Sequence, residues 1–237
     1  AGKVLRRELR KIDIRQLEKS QETPNLSIRV NRLKTSREEL KHLLLAYGKF
    51  EVEESEIVKD ALYVKGSSVL NTKEFRDGFF SVQDEASMIA AFSLDAKPGE
   101  FIIDVCAAPG GKTTAIAESM NNEGKILACD YYENKLGLIQ SAAERLGISI
   151  ISTKANDAKR TMKEYQGLAD RVLCDVPCSG LGVIRRKPEI RYKDNSDLEE
   201  LIDRQRRILT ASALYLKRGG TLVYSTCTIN PDENERQ

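Results

Sequence analysis

Two periods of hydrophobicity divide the chain. The run SIRVNRLK (27–34) alternates apolar and polar side chains, the period of two that predicts a strand buried on one face. Ser36 and Glu39 then have the spacing of a capping box, and the helical pattern ELKHLLLAYG behind them stops at Gly48. IVKDALYV (57–64) reads as another strand. The strand–helix–strand unit predicts a small α+β accessory domain over 23–80. A basic amphipathic helix and linker precede it at 1–22.

From Asp84 the pattern changes. DEASMIAAFSL predicts a helix, and Lys97-Pro98-Gly99 breaks it. Four short apolar runs follow: FIIDV (101–105), KILAC (125–129), ISIIS (148–152) and DRVLCDV (170–176). A fifth, TLVYST (221–226), comes after the long helical pattern DLEELIDRQRRILTASALYL. Near-continuous apolar strands alternating with helices predict an α/β domain over 81–237, a doubly wound and mostly parallel sheet covered on both faces.

Composition changes this picture little. A chain of 237 residues with 41% hydrophobic and 31% charged residues is an ordinary globular protein. No window of the sequence is apolar enough to span a bilayer. Five irregularly spaced cysteines and a single histidine argue against a disulfide framework, a zinc site or a histidine-based triad. A monomeric cytoplasmic protein with free thiols, no metal and no membrane contact is expected. Charge changes the picture more. The net charge of +2 conceals two basic stretches: residues 1–50 hold 13 Lys/Arg against 6 Asp/Glu, and RRKPEIRYK (185–193) holds five basic residues. Such runs are usually solvated surface. The second directly follows a cysteine loop, which fits a polyanion running past it.

The first apolar strand of the larger domain runs into CAAPGGKTT (106–114). In a parallel sheet ligands bind at the carboxyl ends of strands, where glycines admit a ligand to a helix N-terminus. A phosphate-binding Walker loop needs Gly six residues before Lys112; that position is Cys106, and no GxGxxG occurs, so a nucleotide hydrolase is disfavoured. Asp130 ends the next strand, where an acid would bind ribose hydroxyls. A nucleoside without a phosphate chain fits that combination, and S-adenosylmethionine is the candidate cofactor. Two further loops carry cysteines at the ends of apolar runs: LCDVPCSGLG (173–182) with Cys178, and YSTCTINPDE (224–233) with Cys227. Buried structural cysteines usually lie inside such runs, and Cys106, Cys129 and Cys174, which precede or sit within apolar strands, are expected to be small core residues. Spacing does not decide which of Cys178 and Cys227 would attack a substrate.

CAAPGGKTT, LCDVPCSGLGVIRRKPEIR and YSTCTINPDENE together resemble the signature segments of RNA cytosine-C5 methyltransferases, and PCSGLGVIRRKPEI most resembles the bacterial 16S rRNA branch. FFSVQDEAS and SIRVNRLK fit the same pattern, so the likeness runs from about Leu26 to the end. It implies a Rossmann-like class I methyltransferase domain behind an RNA-binding-type accessory domain. The implied reaction moves a methyl group from S-adenosylmethionine to C5 of a cytosine in RNA, through a covalent adduct between a cysteine and C6. A transfer-RNA substrate is the alternative within the family, and a non-catalytic RNA-binding protein on the same scaffold the alternative outside it. The resemblance makes Cys227 the nucleophile and Cys178 the helper in product release, with Asp175 beside the base. It places Cys106, Ala107, Ala108, Pro109, Gly110, Gly111 and Lys112 around the methionine and ribose, Asp130 on the ribose hydroxyls, Asp157 on the adenine, and Asp175 between cofactor and base. For Asp157, capping a helix after the third strand is the alternative. Arg185, Arg186 and Lys187 would hold RNA phosphates, and Arg29, Arg32 and Lys34 would extend the basic track onto the accessory domain. Relatives usually continue past the Thr-Cys segment and carry a helical domain in front, so the chain is expected to be part of a longer protein.

Overall fold

The computed structural model describes residues 26–66, 68–192 and 197–237; the helix expected at 1–22 lies outside them. Strands β1 (Leu26–Val30), β2 (Glu51–Glu54), β3 (Ala61–Lys65) and β4 (Phe80–Val82) form an antiparallel sheet in the order β2-β3-β1-β4. With helices α1 (Arg37–Leu45) and α2 (Lys73–Arg76) the chain order is βαββαβ, the ferredoxin-like arrangement. Ser36 Oγ accepts the Glu39 N–H at 3.1 Å, capping α1. The Glu39 carboxylate takes the Thr35 hydroxyl at 2.8 Å instead of closing the second half of the box. Leu40 and Leu44 of α1 bury against Ile28, Val30, Leu62, Val64 and Phe80.

The strand expected over 27–34 ends at Val30 because Asn31 turns the chain. Its amide donates to Gly78 O at 2.8 Å and Leu146 O at 2.9 Å, and its Oδ1 accepts the Leu33 N–H. The first sheet also takes in residues 80–82, just past the boundary the sequence pattern suggests.

Helix α3 (Glu85–Phe92), capped by Asp84, leads into five parallel strands: β5 (Phe101–Asp104), β6 (Lys125–Asp130), β7 (Ile151–Ala155), β8 (Ala169–Asp175) and β9 (Leu216–Ser225). Their order is β7-β6-β5-β8-β9, with α4 (Gly111–Ser119), α5 (Glu133–Leu146) and α6 (Leu198–Ala213) between them in sequence. Neighbouring residues of each strand feed opposite cores. Ile102, Ile126 and Leu173 pack with Ile116, Met120 and Leu146; Ile103, Leu127 and Val172 pack with Ile208 and Tyr215. Burial on both faces is why these strands read as continuous apolar runs. The third run is displaced: β7 begins at Ile151, because Ile148 is buried as the hydrophobic end of the α5 cap, its N–H returning to Ala143 O at 2.8 Å past left-handed Gly147.

Strand β5 has β6 on one side and β8 on the other, so the loops after β5 and β8 part at the carboxyl edge and open a crevice. The first sheet docks beside it. Lys34 Nζ donates to Arg145 O (2.9 Å) and Asp77 O (2.7 Å), a cation at the carboxyl end of α5. Arg29 is 1% exposed and pairs with Glu118 of α4. Arg29 is therefore a correction to the expected RNA track: its charged group is buried in joining the two sheets, whereas Lys34 stays exposed. Arg32 does lie on the surface, bridging Asp60 at 3.2 Å.

Candidate active site

Two clefts meet at the carboxyl edge of the parallel sheet. The first, about 250 Å³, lies between the 106–112 loop and Val82–Ser87; its walls include Gln83, Asp104, Cys106, Ala107, Ala108, Pro109 and Gly111. Gly110 caps α4 with φ +103, which L side chains rarely adopt, and a Cβ there would press on Ile139 Cα at 3.1 Å. Asp130 holds this loop from β6: its carboxylate accepts the Ala108 N–H (3.1 Å) and the Tyr132 N–H (3.0 Å). Neither Asp130 nor Asp157 is among the residues lining the cleft. Asp157 follows β7 beside Asp130, whose carbonyl accepts the Asn156 N–H, and its own Oδ1 accepts the Lys159 N–H at 3.1 Å. No helix begins there, so the helix-capping alternative falls away.

The second cleft, about 220 Å³, shares Asp84, Ser87, Lys112 and Asp175 with the first and adds Gly182, Val183, Ser225, Thr226, Cys227 and Thr228. Lys112 Nζ donates to Asp175 Oδ2 at 2.7 Å, and Ser225 Oγ donates to Oδ1 at 2.6 Å. This ion pair is the wall between the two spaces. Asp175 is thus oriented by one partner from each side, and it ends β8 three residues before Cys178.

Spacing did not decide between the two cysteines; the fold brings their sulfurs to 3.0 Å. Cys227 is exposed and Cys178 half-buried, with the Cys227 N–H 3.2 Å from Cys178 Sγ. A hydrogen bond from the Cys178 thiol, aided by Lys112 and Lys187, lowers the Cys227 thiol to about 7. The same contact, together with burial, pushes Cys178 up. The contact favours a single thiolate in the pair, with Cys227 the thiol that is lowered. Cys129 and Cys174 are fully buried, and burial pushes both thiols up to about 12. Cys106 lines the first cleft with its thiol also raised by burial.

Four contributors escaped the sequence reading. Glu233, 0% exposed, clasps both cysteine loops: it accepts from Ser179 N–H (2.8 Å), Ser179 Oγ (2.5 Å), the Gln205 amide (2.9 Å) and the Asn230 amide (3.2 Å). Gly182 N–H donates to Cys227 O at 3.0 Å, a second tie between the loops. Asp104 and Gln83 stand in the first cleft; burial holds the Asp104 carboxyl at about 7. An acid closing an otherwise apolar strand was the available signal for Asp104, whereas nothing local singles out Glu233 in NPDENE. At the cleft mouth Arg186 pairs with Asp84 at 3.1 Å, while the side chains of Arg185 and Lys187 are exposed.

A doubly wound parallel sheet with its crevice lined by a glycine loop and two cysteines defines a Rossmann-like methyltransferase scaffold. The family described as 16S rRNA methyltransferase RsmB/F matches residues 91–237, and the RsmF/B-like ferredoxin-like domain matches residues 14–70. The chain belongs to the RsmB/F family. It is 43% identical over 214 residues to "Probable ribosomal RNA small subunit methyltransferase B" of Bacillus subtilis, a match that covers 90% of this chain and 48% of that protein. A methyltransferase homolog protein from Pyrococcus horikoshii superposes with a TM-score of 0.78 at 32% identity over 93% of this chain and 70% of the other. NSun6 from the same organism, solved with SFG, gives 0.81 at 26% identity over 94% and 81%. The chain spans about half the length of the curated relatives it matches. Among the described residues no helix is long and apolar enough to cross a membrane.

Proposed function

We propose that this chain carries the methyl-transfer centre of an RNA cytosine-C5 methyltransferase acting in the cytoplasm on small-subunit ribosomal RNA, with S-adenosylmethionine as methyl donor. The observation that carries the reading is the pairing of the Cys178 and Cys227 sulfurs at 3.0 Å, with Cys227 lining a cleft that shares the Lys112–Asp175 wall with a second cleft. Family membership and the relatives' names support the substrate, and the SFG-bound neighbour supports the cofactor.

The residues of the first cleft fit that cofactor. The 106–112 loop offers close backbone approach without a phosphate-binding pattern, and two buried polar atoms, Gln83 Nε2 and Asp104 Oδ1, lack protein partners there. When bound, S-adenosylmethionine supplies an electrophilic methyl group. The chain's own part is to make the cytosine nucleophilic. Cys227 Sγ adds to C6, and the C5=C6 electron pair is displaced to give an enamine carbon at C5. Asp175, fixed by Lys112 and Ser225, is assigned to the N3 and amino edge of the base. After C5 takes the methyl it must lose its proton, whose electron pair re-forms the double bond and expels the Cys227 thiolate. Cys178 is assigned to that release. Lys187, Arg185 and surface Arg32 are assigned to RNA phosphates, and Asp130 and Asp157 to the nucleoside end. A base in this cleft has to be unpaired or flipped out.

Incubation with 16S rRNA and labelled S-adenosylmethionine, followed by bisulfite mapping, tests the reading. Label is expected at C5 of a cytosine. Cys227→Ala should form no covalent RNA adduct and no product, whereas Cys178→Ala should trap an adduct that survives denaturing electrophoresis. The reversed pattern would make Cys178 the nucleophile; label on transfer RNA alone would move the substrate.

A further inference from the structure

Of the five thiols, the fold withdraws three from solution chemistry. Cys129 and Cys174 are fully buried, and burial raises the Cys106 thiol as well. The other two stand 49 positions apart in sequence and 3.0 Å apart in space, Cys227 exposed and Cys178 half-buried. The backbone holds this approach from several sides. Gly182 N–H donates to Cys227 O at 3.0 Å, and the Cys227 N–H lies 3.2 Å from Cys178 Sγ. Glu233 accepts from Ser179 N–H and from the Asn230 amide, one group from each loop. A disulfide bond is about 2.05 Å long, so the sulfurs have only about 1 Å left to close. Small rotations about the two Cα–Cβ bonds cover that distance and leave both loops in place.

Oxidation-sensitive cysteines combine thiolate character, access to solvent and a second thiol within reach. Cys227 has the first two, its thiol lowered by the Cys178 hydrogen bond and by Lys112 and Lys187. Cys178 is the second thiol, and its upward shift keeps the proton on it. We propose that Cys178 and Cys227 form an oxidative modification site, at which a hydroperoxide joins them in a reversible disulfide that shuts down methyl transfer. In the first step the Cys227 thiolate attacks one peroxide oxygen; the O–O bond breaks, hydroxide leaves, and Cys227 becomes a sulfenic acid. In the second the Cys178 sulfur attacks the Cys227 sulfur; the S–O bond breaks, and the hydroxide leaves with the Cys178 proton as water. Two electrons pass from the sulfurs to the peroxide. A thiol reductant returns both cysteines by exchange. Forming the disulfide also keeps Cys227 from the sulfinic stage, which thiol reductants do not reverse. The disulfide and a covalent RNA adduct need the same sulfur, so each excludes the other. That exclusion rests on the assignment of Cys227 made above, whereas the oxidation rests on the sulfur geometry alone.

Hydrogen peroxide added to the reduced full chain, followed by iodoacetamide and tryptic digestion without reductant, tests the site. Mass spectrometry should find peptide 172–185 linked to peptide 219–236. Fragmentation should put the link on Cys178 and not on Cys174 of the same peptide, and dithiothreitol should undo it. Methyl transfer should be lost with peroxide and regained with dithiothreitol. Cys178→Ser lacks the second thiol, so its Cys227 should stop at the sulfenic acid and take up dimedone, which the wild type should not. A wild-type Cys227 that stays fully alkylated by iodoacetamide, or that accumulates as sulfenic or sulfinic acid without a link, would overturn the proposal. A link to Cys106 or Cys174 would overturn it too. A Cys178–Cys227 disulfide that forms with methyl transfer unimpaired would leave the oxidation itself standing and overturn Cys227 as the nucleophile.

Discussion

Glu118 and Glu233 are both buried carboxylates that tie distant stretches of the chain, and they are satisfied in opposite ways. Glu118 meets one cation, accepting both Arg29 Nε and Nη2 at 2.9 Å across 89 positions of sequence. Glu233 accepts from four donors that are all neutral among the described residues: a backbone N–H, a hydroxyl and two amides. The first arrangement is a two-point charge clamp between rigid units, a strand and a helix. The second sets direction at four atoms at once and acts on loops, holding Ser179 next to Cys178 and Asn230 three residues past Cys227. The contrast separates two tasks: a charge clamp holds the sheets together, and a fan of neutral donors aims the sulfurs.

Breaking the clamp should have the largest effect on stability. Arg29→Met leaves Glu118 buried and unpaired, which costs about 3–5 kcal/mol. Urea unfolding should show that loss, and the double variant Arg29→Met/Glu118→Leu should recover much of it by removing both charges. A loss below about 1 kcal/mol would mean the pair does not govern docking.

Breaking the fan should cost less in stability and more in chemistry. Glu233→Gln turns one acceptor oxygen into a donor facing other donors, an unsatisfied contact of about 1–3 kcal/mol. Methyl transfer should fall well beyond any change in S-adenosylhomocysteine affinity, since the cofactor cleft does not include Glu233. Parallel losses in transfer and binding would put Glu233 on the same footing as Glu118.

The same contrast explains what could be read from the sequence. The parallel sheet was legible because strands buried on both faces must be apolar at nearly every position, as FIIDV and KILAC are. The accessory sheet was half legible. Edge strand β2, EVEE, buries only Val52, and β4 has three residues, so neither carries a period long enough to detect. Asp175 and the cysteines were found because each closes an apolar run at the edge where ligands bind. Arg29 was misassigned because sequence displays charge and hides partners: Glu118 lies 89 residues from it. Glu233 was invisible for the same reason, its meaning residing in Ser179 and Gln205, 54 and 28 residues away.

The finest test concerns the sulfurs that the fan aims. Cys227 is lowered to about 7 first by the hydrogen bond from Cys178 and then by Lys112 and Lys187. A thiol with a depressed pKa is thiolate above that value and loses its nucleophile as pH falls through it. Alkylation of Cys227 by iodoacetamide, followed by peptide mass spectrometry, should therefore rise with a midpoint near 7. An ordinary cysteine gives a midpoint at about 8.5. The other four thiols are all shifted upward and should lag behind it. Cys178→Ala removes the donor but keeps Lys112 and Lys187, so the midpoint should move up toward the ordinary value and the rate at pH 7 should drop by roughly tenfold. Glu233→Gln, which loosens the alignment without deleting the donor, should give a smaller shift in the same direction. If Cys178→Ala leaves the midpoint near 7, the lysines alone set the thiolate, and the 3.0 Å sulfur contact serves product release only.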